Sequence, residues 1–78
     1  MAEISEVAVI VCRVAGLNEI DPDAVMYESG VTSLDILSLL TELESVYGIS
    51  IPDEQFLAAR TCRDLAGLVS RIKEGAAQ

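Results

Sequence analysis

The sequence predicts an all-α domain: a small four-helix bundle of three longer helices and one short one. Three observations predict it. Apolar residues recur at helical spacing in three separate stretches. Glycine or proline stands where each stretch has to stop. Seventy-eight residues, half of them hydrophobic, suffice for one small core and not for two. Only Tyr27, Tyr47 and Phe56 are aromatic, so that core is built from Leu, Ile, Val and Ala.

The first helix is expected over about Glu3 to Ala15, with Ile4, Val7, Ala8, Val11, Val14 and Ala15 on one stripe. Val7 to Val11 is also β-prone, but thirteen residues without a turn signal favour helix. Gly16 supplies the stop. Residues 17–32 form a long connection broken by Asp21-Pro22-Asp23, with enough apolar residues (Leu17, Ile20, Val25, Met26, Val31) to pin it onto a core. A second helix is expected from Ser33 to Tyr47, closed by Gly48. Leu34, Leu37, Leu40 and Val46, with Ile36, Leu39 and Leu43, give it more than one apolar stripe. Such a helix is mostly buried or keeps apolar surface for a partner. Thr32-Ser33-Leu34-Asp35 fits a capping box. Ile49-Ser50-Ile51 reads as a short extended piece. Asp53 and Glu54 then suit the start of a short helix over 53–59. The last helix begins at Thr61-Cys62-Arg63-Asp64 and carries Leu65, Leu68, Val69 and Ile72 at i, i+3, i+4 and i+7, with Arg71 and Lys73 in its last turn. Residues 1–78 form one domain, and only 75–78 read as a loose tail.

Composition excludes several functions. There is no His, which removes Ser-His and Cys-His catalysis. Cys12 and Cys62 stand alone, so a zinc site is not on offer, and no other metal pattern appears. Asp21-Pro22-Asp23 with Glu28 suggests a calcium loop, but a loop starting at Asp21 would put Met26 and Thr32 where Gly and Glu are required. The net charge of −8 argues against nucleic acid and anionic membrane and for basic protein partners. That charge is uneven. Residues 1–59 hold eleven acids against Arg13, whereas residues 60–78 hold four bases against two acids. No signal-peptide start or membrane-length apolar run is present, so a cytoplasmic monomer with both cysteines as small core residues is expected.

One stretch says more than the pattern. A long loop ends in Gly30-Val31-Thr32-Ser33-Leu34 and opens directly into a Leu-rich helix, and Ile51-Pro52-Asp53 follows in order. This resembles the acyl carrier and peptidyl carrier protein family, whose core motif is Gly-x-Asp-Ser-Leu and whose later hallmark is Ile-Pro-Asp. The resemblance runs from about residue 4 to 73. It implies that Ser33, flanked by Thr32 and Leu34, carries a 4′-phosphopantetheine arm transferred from coenzyme A by a phosphopantetheinyl transferase. The arm's thiol would hold an acyl or aminoacyl group as a thioester, and the carrier itself would catalyse nothing. Implied partners are acyltransferases, ketosynthases or adenylating enzymes with basic docking patches. Asp35, Ile36, Leu37, Thr41 and Glu44 are the expected docking residues on the helix after Ser33.

The physics of the motif agrees. A serine at a helix start faces free backbone N–H groups and the positive end of the dipole, where a phosphate is favoured. The competing reading is that Thr32 or Ser33 only caps the helix. Thr32 replaces the family's usual Asp, and Ser38, Thr41 and Ser45 replace residues often acidic or apolar in fatty acid carriers. The expectation is therefore a discrete carrier of polyketide or nonribosomal peptide assembly, better modified by a broad-specificity transferase than by a fatty-acid-type one. A primary fatty acid carrier is the alternative, and an acidic helical adaptor the rival of another class. Val25, Met26, Leu37, Leu40, Val46, Ile51, Phe56 and Leu68 are candidates to line space between helices for an acyl chain, or else plain core.

Overall fold

The computed structural model describes residues 3–76, with side chains through 75. The chain is all-helical over this span: α1 (Ile4–Ala15), a 3₁₀ turn (Met26–Ser29), α2 (Ser33–Tyr47), α3 (Asp53–Ala58) and α4 (Cys62–Ala76). The expected helices stand within a residue or two of their anticipated bounds. Two differences have local causes. The 3₁₀ turn inside the long connection was not anticipated; the Glu28 N–H donates to the Val25 carbonyl and Ser29 Oγ donates to the same oxygen at 3.0 Å. Gly75 and Ala76 continue α4 rather than beginning a tail, and Ala77 and Gln78 lie outside the described residues.

Helix ends are made by the residues that pattern alone pointed to. Gly16 and Gly48 close α1 and α2 in the left-handed conformation, at φ 72° and 65°, where a side chain would be strained. Thr61 Oγ1 accepts the Asp64 N–H at 3.0 Å and opens α4.

The core is the inner stripe of each helix. Val7, Ile10 and Val11 of α1 meet Ile36, Leu39 and Leu43 of α2, with Leu65, Leu68 and Val69 of α4. Each such side chain contributes about 1.5–3 kcal/mol by leaving water. α1 packs on both α2 and α4, and the short α3 leans on α4. This settles which stripe of α2 is inside. Leu39 and Leu43 are buried, whereas Leu34 and Leu37 face solvent. Ile10, absent from the expected α1 stripe, is core, and Val9 is outside it. Cys62 is buried as anticipated, whereas Cys12 is only half-buried; both thiols are free.

The long connection is pinned at several points. The Met26 N–H donates to the Arg60 carbonyl at 2.9 Å, and the Arg63 N–H to the Pro22 carbonyl at 3.1 Å. Arg63 also pairs with Asp23 through both guanidinium and carboxylate. Met26 and Val31 are buried beneath the loop. Gly30, at φ 104°, turns the chain into α2, and a Cβ there would sit 3.2 Å from Leu17 Cδ2. Loop and α3–α4 corner thus hold the entrance to α2 in one place.

Candidate functional site

The candidate site is the N-terminus of α2. Thr32 is its cap: Thr32 Oγ1 accepts the Asp35 N–H at 3.2 Å, and Asp35 Oδ2 accepts the Thr32 N–H at 2.9 Å. The expected capping box therefore exists, and it assigns the cap to one of the two adjacent hydroxyls. Thr32 does the capping. Ser33, the first residue inside the helix, is exposed, and its hydroxyl has no hydrogen-bond partner among the described residues. The first backbone bond of α2 runs from the Ile36 N–H to the Thr32 carbonyl. The N–H groups of Ser33 and Leu34 accordingly have no carbonyl partner in the helix and lie at its positive end, which favours an anion. No basic side chain belongs to this turn, and the chain contains no His, so Ser33 is not activated from within.

Exposed apolar side chains follow this serine along α2 and stand on α3. Leu34 is 77% exposed, Leu37 is 65% exposed and Leu57 of α3 is 62% exposed. Leu37 and Leu57 flank a groove of about 180 Å³ whose floor includes Ile36, Leu40 and Phe56. Leu57 also borders a second cleft of about 340 Å³, bounded by Val25, Met26, Tyr27, Glu28, Ile36, Phe56, Ala59 and Arg60. Ile36 lies three residues along α2 from Ser33, about 4.5 Å along the axis.

The expected docking residues divide. Leu37 and Thr41 stand on the exposed face. Ile36 does not: only 6% of it is exposed, so it forms the floor of both clefts rather than their rim. Its position one residue before Leu37 rotates it into the core. Asp35 and Glu44 are half-buried and already engaged. Asp35 completes the capping box, and Glu44 Oε2 accepts the Ile51 N–H at 2.8 Å. The third acid of α2, Glu42, pairs with Arg13 of α1. Reversing the charge at Asp35 or Glu44 would therefore disturb the fold as well as the surface, since each holds a backbone N–H.

Of the residues expected to line interhelical space, Val25, Met26, Leu37, Leu40 and Phe56 do border the two clefts, while Ile51 and Leu68 are buried core. Val46 is a correction. It is half-exposed, in a groove with Val9 and Tyr47 on the outer α1–α2 surface, because residue 46 falls beyond the buried stripe that ends at Leu43. Tyr27, Leu57 and Arg60 were missed. Their only signal in the sequence is that they are large side chains in or beside short elements with little core to fill.

Among the described residues no cluster could hold a metal ion, and no helix is long and apolar enough to cross a membrane. When bound, a phosphopantetheine group supplies a flexible arm ending in a thiol. The exposed hydroxyl and unbonded N–H groups fit its attachment.

Comparison with known proteins gives the same result. The family model described as "Phosphopantetheine attachment site" matches residues 5–69. The meromycolate extension acyl carrier proteins of Mycobacterium tuberculosis and Mycobacterium bovis are 28% identical over 74 residues, 91% of this chain; the chain spans 64% of their length. Among solved structures, the acyl carrier protein of Thermotoga maritima superposes with a TM-score of 0.77 at 25% identity, covering 94% of this chain and 88% of that one. A chain in the complex of the phosphopantetheine transferase Sfp with coenzyme A and a peptidyl carrier protein gives 0.80 at 24% identity, covering 91% and 92%. With its motif at the mouth of α2 and its carrier-like helical bundle, this chain belongs to the phosphopantetheine attachment family, whose cofactor is covalent 4′-phosphopantetheine.

Proposed function

We propose that Ser33 is the attachment residue and that the chain shuttles acyl or aminoacyl thioesters between partner enzymes without catalysing a step itself. One observation carries this reading. Thr32 meets the capping requirement alone, which leaves Ser33 exposed and unbonded at a helix N-terminus. Coenzyme A donates the phosphopantetheine, and a phosphopantetheinyl transferase supplies the base that takes the Ser33 proton. Two unbridged thiols accord with a reducing cytoplasm.

The docking surface of this carrier is apolar first. Leu34, Leu37 and Leu57 supply it, with Thr41 at its edge, while Asp35, Glu42 and Glu44 are bonded within the chain. Partners therefore offer apolar residues to Leu37 and Leu57, and basic patches steer from a distance through the net charge of −8. Thr32 and this weakly charged surface favour polyketide or nonribosomal peptide assembly over primary fatty acid synthesis. They also favour modification by a broad-specificity transferase over a fatty-acid-type one.

The test is an intact mass before and after incubation with such a transferase, magnesium and coenzyme A, with Ser33→Ala alongside. A gain of one phosphopantetheine on the wild type alone is expected. No gain on a folded wild type would leave a helical adaptor.

A further inference from the structure

We infer that the groove between the outer faces of α1 and α2 is a second docking surface, and that it takes a basic amphipathic helix of a protein partner that keeps hold of the carrier while the arm works elsewhere. The tethering role rests on attachment at Ser33; the groove itself does not. Among the large apolar side chains left exposed, Leu34 adjoins Ser33, and Tyr27, Leu37 and Leu57 border the clefts over Ile36. Val9 and Val46 stand apart from these and meet in one groove with Glu6, Ile10 and Tyr47. Val9 is 64% exposed and Val46 50%. A β-branched residue in a helix costs propensity that burial normally offsets, and neither valine has that burial. Val46 follows Ser33 by thirteen residues, about 20 Å along the α2 axis.

The groove has the make-up of an interface. Two contacts between the helices frame it. At one end the Tyr47 hydroxyl donates to Glu6 Oε1 at 3.2 Å, and at the other the Arg13 guanidinium pairs with Glu42. Val9 and Val46 form the apolar centre between these polar bridges. The groove holds about 340 Å³. At roughly 30 Å³ per non-hydrogen atom, the share of one molecule in liquid water, that is room for about eleven atoms, or two side chains the size of Leu and Phe. Two anchors on one face of a helix fill such a groove. Charge selects the rest of the partner. The frame is net negative, with Glu6 and Glu42 against Arg13, and Asp35 and Glu44 add two more acids to α2. Lys73 of α4 approaches this end but is held on the Tyr47 carbonyl at 3.1 Å. Lys or Arg beside the anchors therefore meets complementary charge. A second copy of the chain does not, since two-fold pairing would set Glu6 and Glu42 of each copy in the same groove and −8 against −8. A partner held here leaves the Ser33 end open, so the arm meets a neighbouring enzyme at a raised effective concentration.

The probe is a helical peptide of about eighteen residues with Leu at i, i+3, i+4 and i+7 on one face and Lys on the other. Control peptides carry Glu for Lys, or Ser for Leu. Each is titrated into the full chain, before and after loading with phosphopantetheine, and amide shifts are read. The Leu–Lys peptide is expected to shift Val9, Ile10, Val46 and Tyr47 more than Leu34, Leu37 and Leu57, on both forms. The double variant Val9→Gln, Val46→Gln should melt like the wild type and bind this peptide on the order of tenfold more weakly, the loss of one good anchor. Saturating peptide should leave the rate of transferase modification unchanged. The inference is overturned if no peptide shifts the groove amides, if the shifts centre on Leu37 and Leu57, if either control peptide binds as well, or if bound peptide blocks modification. A wild-type dimer in sedimentation that Val9→Gln disperses would overturn it too, by giving the groove to a second copy. A chain that never gains mass would overturn attachment and the tether with it, while shifts on the unmodified chain still decide the groove.

Discussion

Replacing Glu44 with Ala tests whether the acids of α2 serve the fold. Glu44 Oε2 accepts the Ile51 N–H at 2.8 Å in a half-buried setting, tying the end of α2 to the segment that carries Pro52 and Asp53. Losing a hydrogen bond to a charged acceptor costs about 1.5–3 kcal/mol. One term opposes it. Glu44 lies in the last turn of α2, where a negative charge is unfavourable by about 0.3–1 kcal/mol, and Ala removes that charge. The net expectation is a loss of about 1–2 kcal/mol. For a domain of this size that lowers Tm by roughly 4–16 °C. Glu44→Gln keeps an acceptor and also relieves the dipole, so it should stay within about 0.5 kcal/mol of wild type. Thermal melts at neutral pH, with urea titrations for the free energies, measure both. The reasoning fails if Glu44→Ala is as stable as wild type, or if Glu44→Gln falls as far as Glu44→Ala.

Three further outcomes follow from the same structure. Thr32→Ala should cost about 1 kcal/mol in urea unfolding through loss of the cap, while Ser33→Ala changes stability by less than about 0.5 kcal/mol, because only Thr32 bonds the helix. Leu37→Asp and Leu57→Asp should leave the melt within about 0.5 kcal/mol of wild type and slow transferase modification by about tenfold, read as the rate of mass gain; a steep fall with salt in the wild type and no effect of these variants would point to the acids instead. Burial, with the nearby Cys12 second, pushes the Cys62 thiol from its ordinary value of 9.0 up to about 11. The stability contributed by this neutral thiol is whole below about pH 9 and lost as pH rises toward 11, so melts over pH 8–11 should decline more steeply for wild type than for Cys62→Ala.

The helices were legible because their signals are local. Gly16, Gly48, Pro52 and the two Thr caps each act within one turn, and α2 begins and ends where the capping box and Gly48 required. Ser33 was legible too, since a motif of a few residues carried it. What was not legible depended on partners far along the chain. Nothing near Glu44 in the sequence announces that its carboxylate meets the Ile51 N–H. Nothing near Pro22 announces that its carbonyl meets Arg63. The same holds for the apolar stripes of α2. Leu34, Leu37, Leu39 and Leu43 are chemically alike, and only the placement of α1 and α4 decides that the last two are core. Through that same ambiguity the pattern offers Ile36 as surface and Val46 as interior, and the structure reverses both.

The proposed function depends on attachment of the arm at Ser33. Its most direct test is localisation on the modified chain. Trypsin releases Val14–Arg60 as one peptide, since no Lys or Arg lies between Arg13 and Arg60, and that peptide holds Ser29, Ser33, Ser38, Ser45 and Ser50. Fragmentation that retains the phosphopantetheine should place the added mass on Ser33 alone. The same mass on any other serine, or a folded chain that no transferase modifies, would contradict the account.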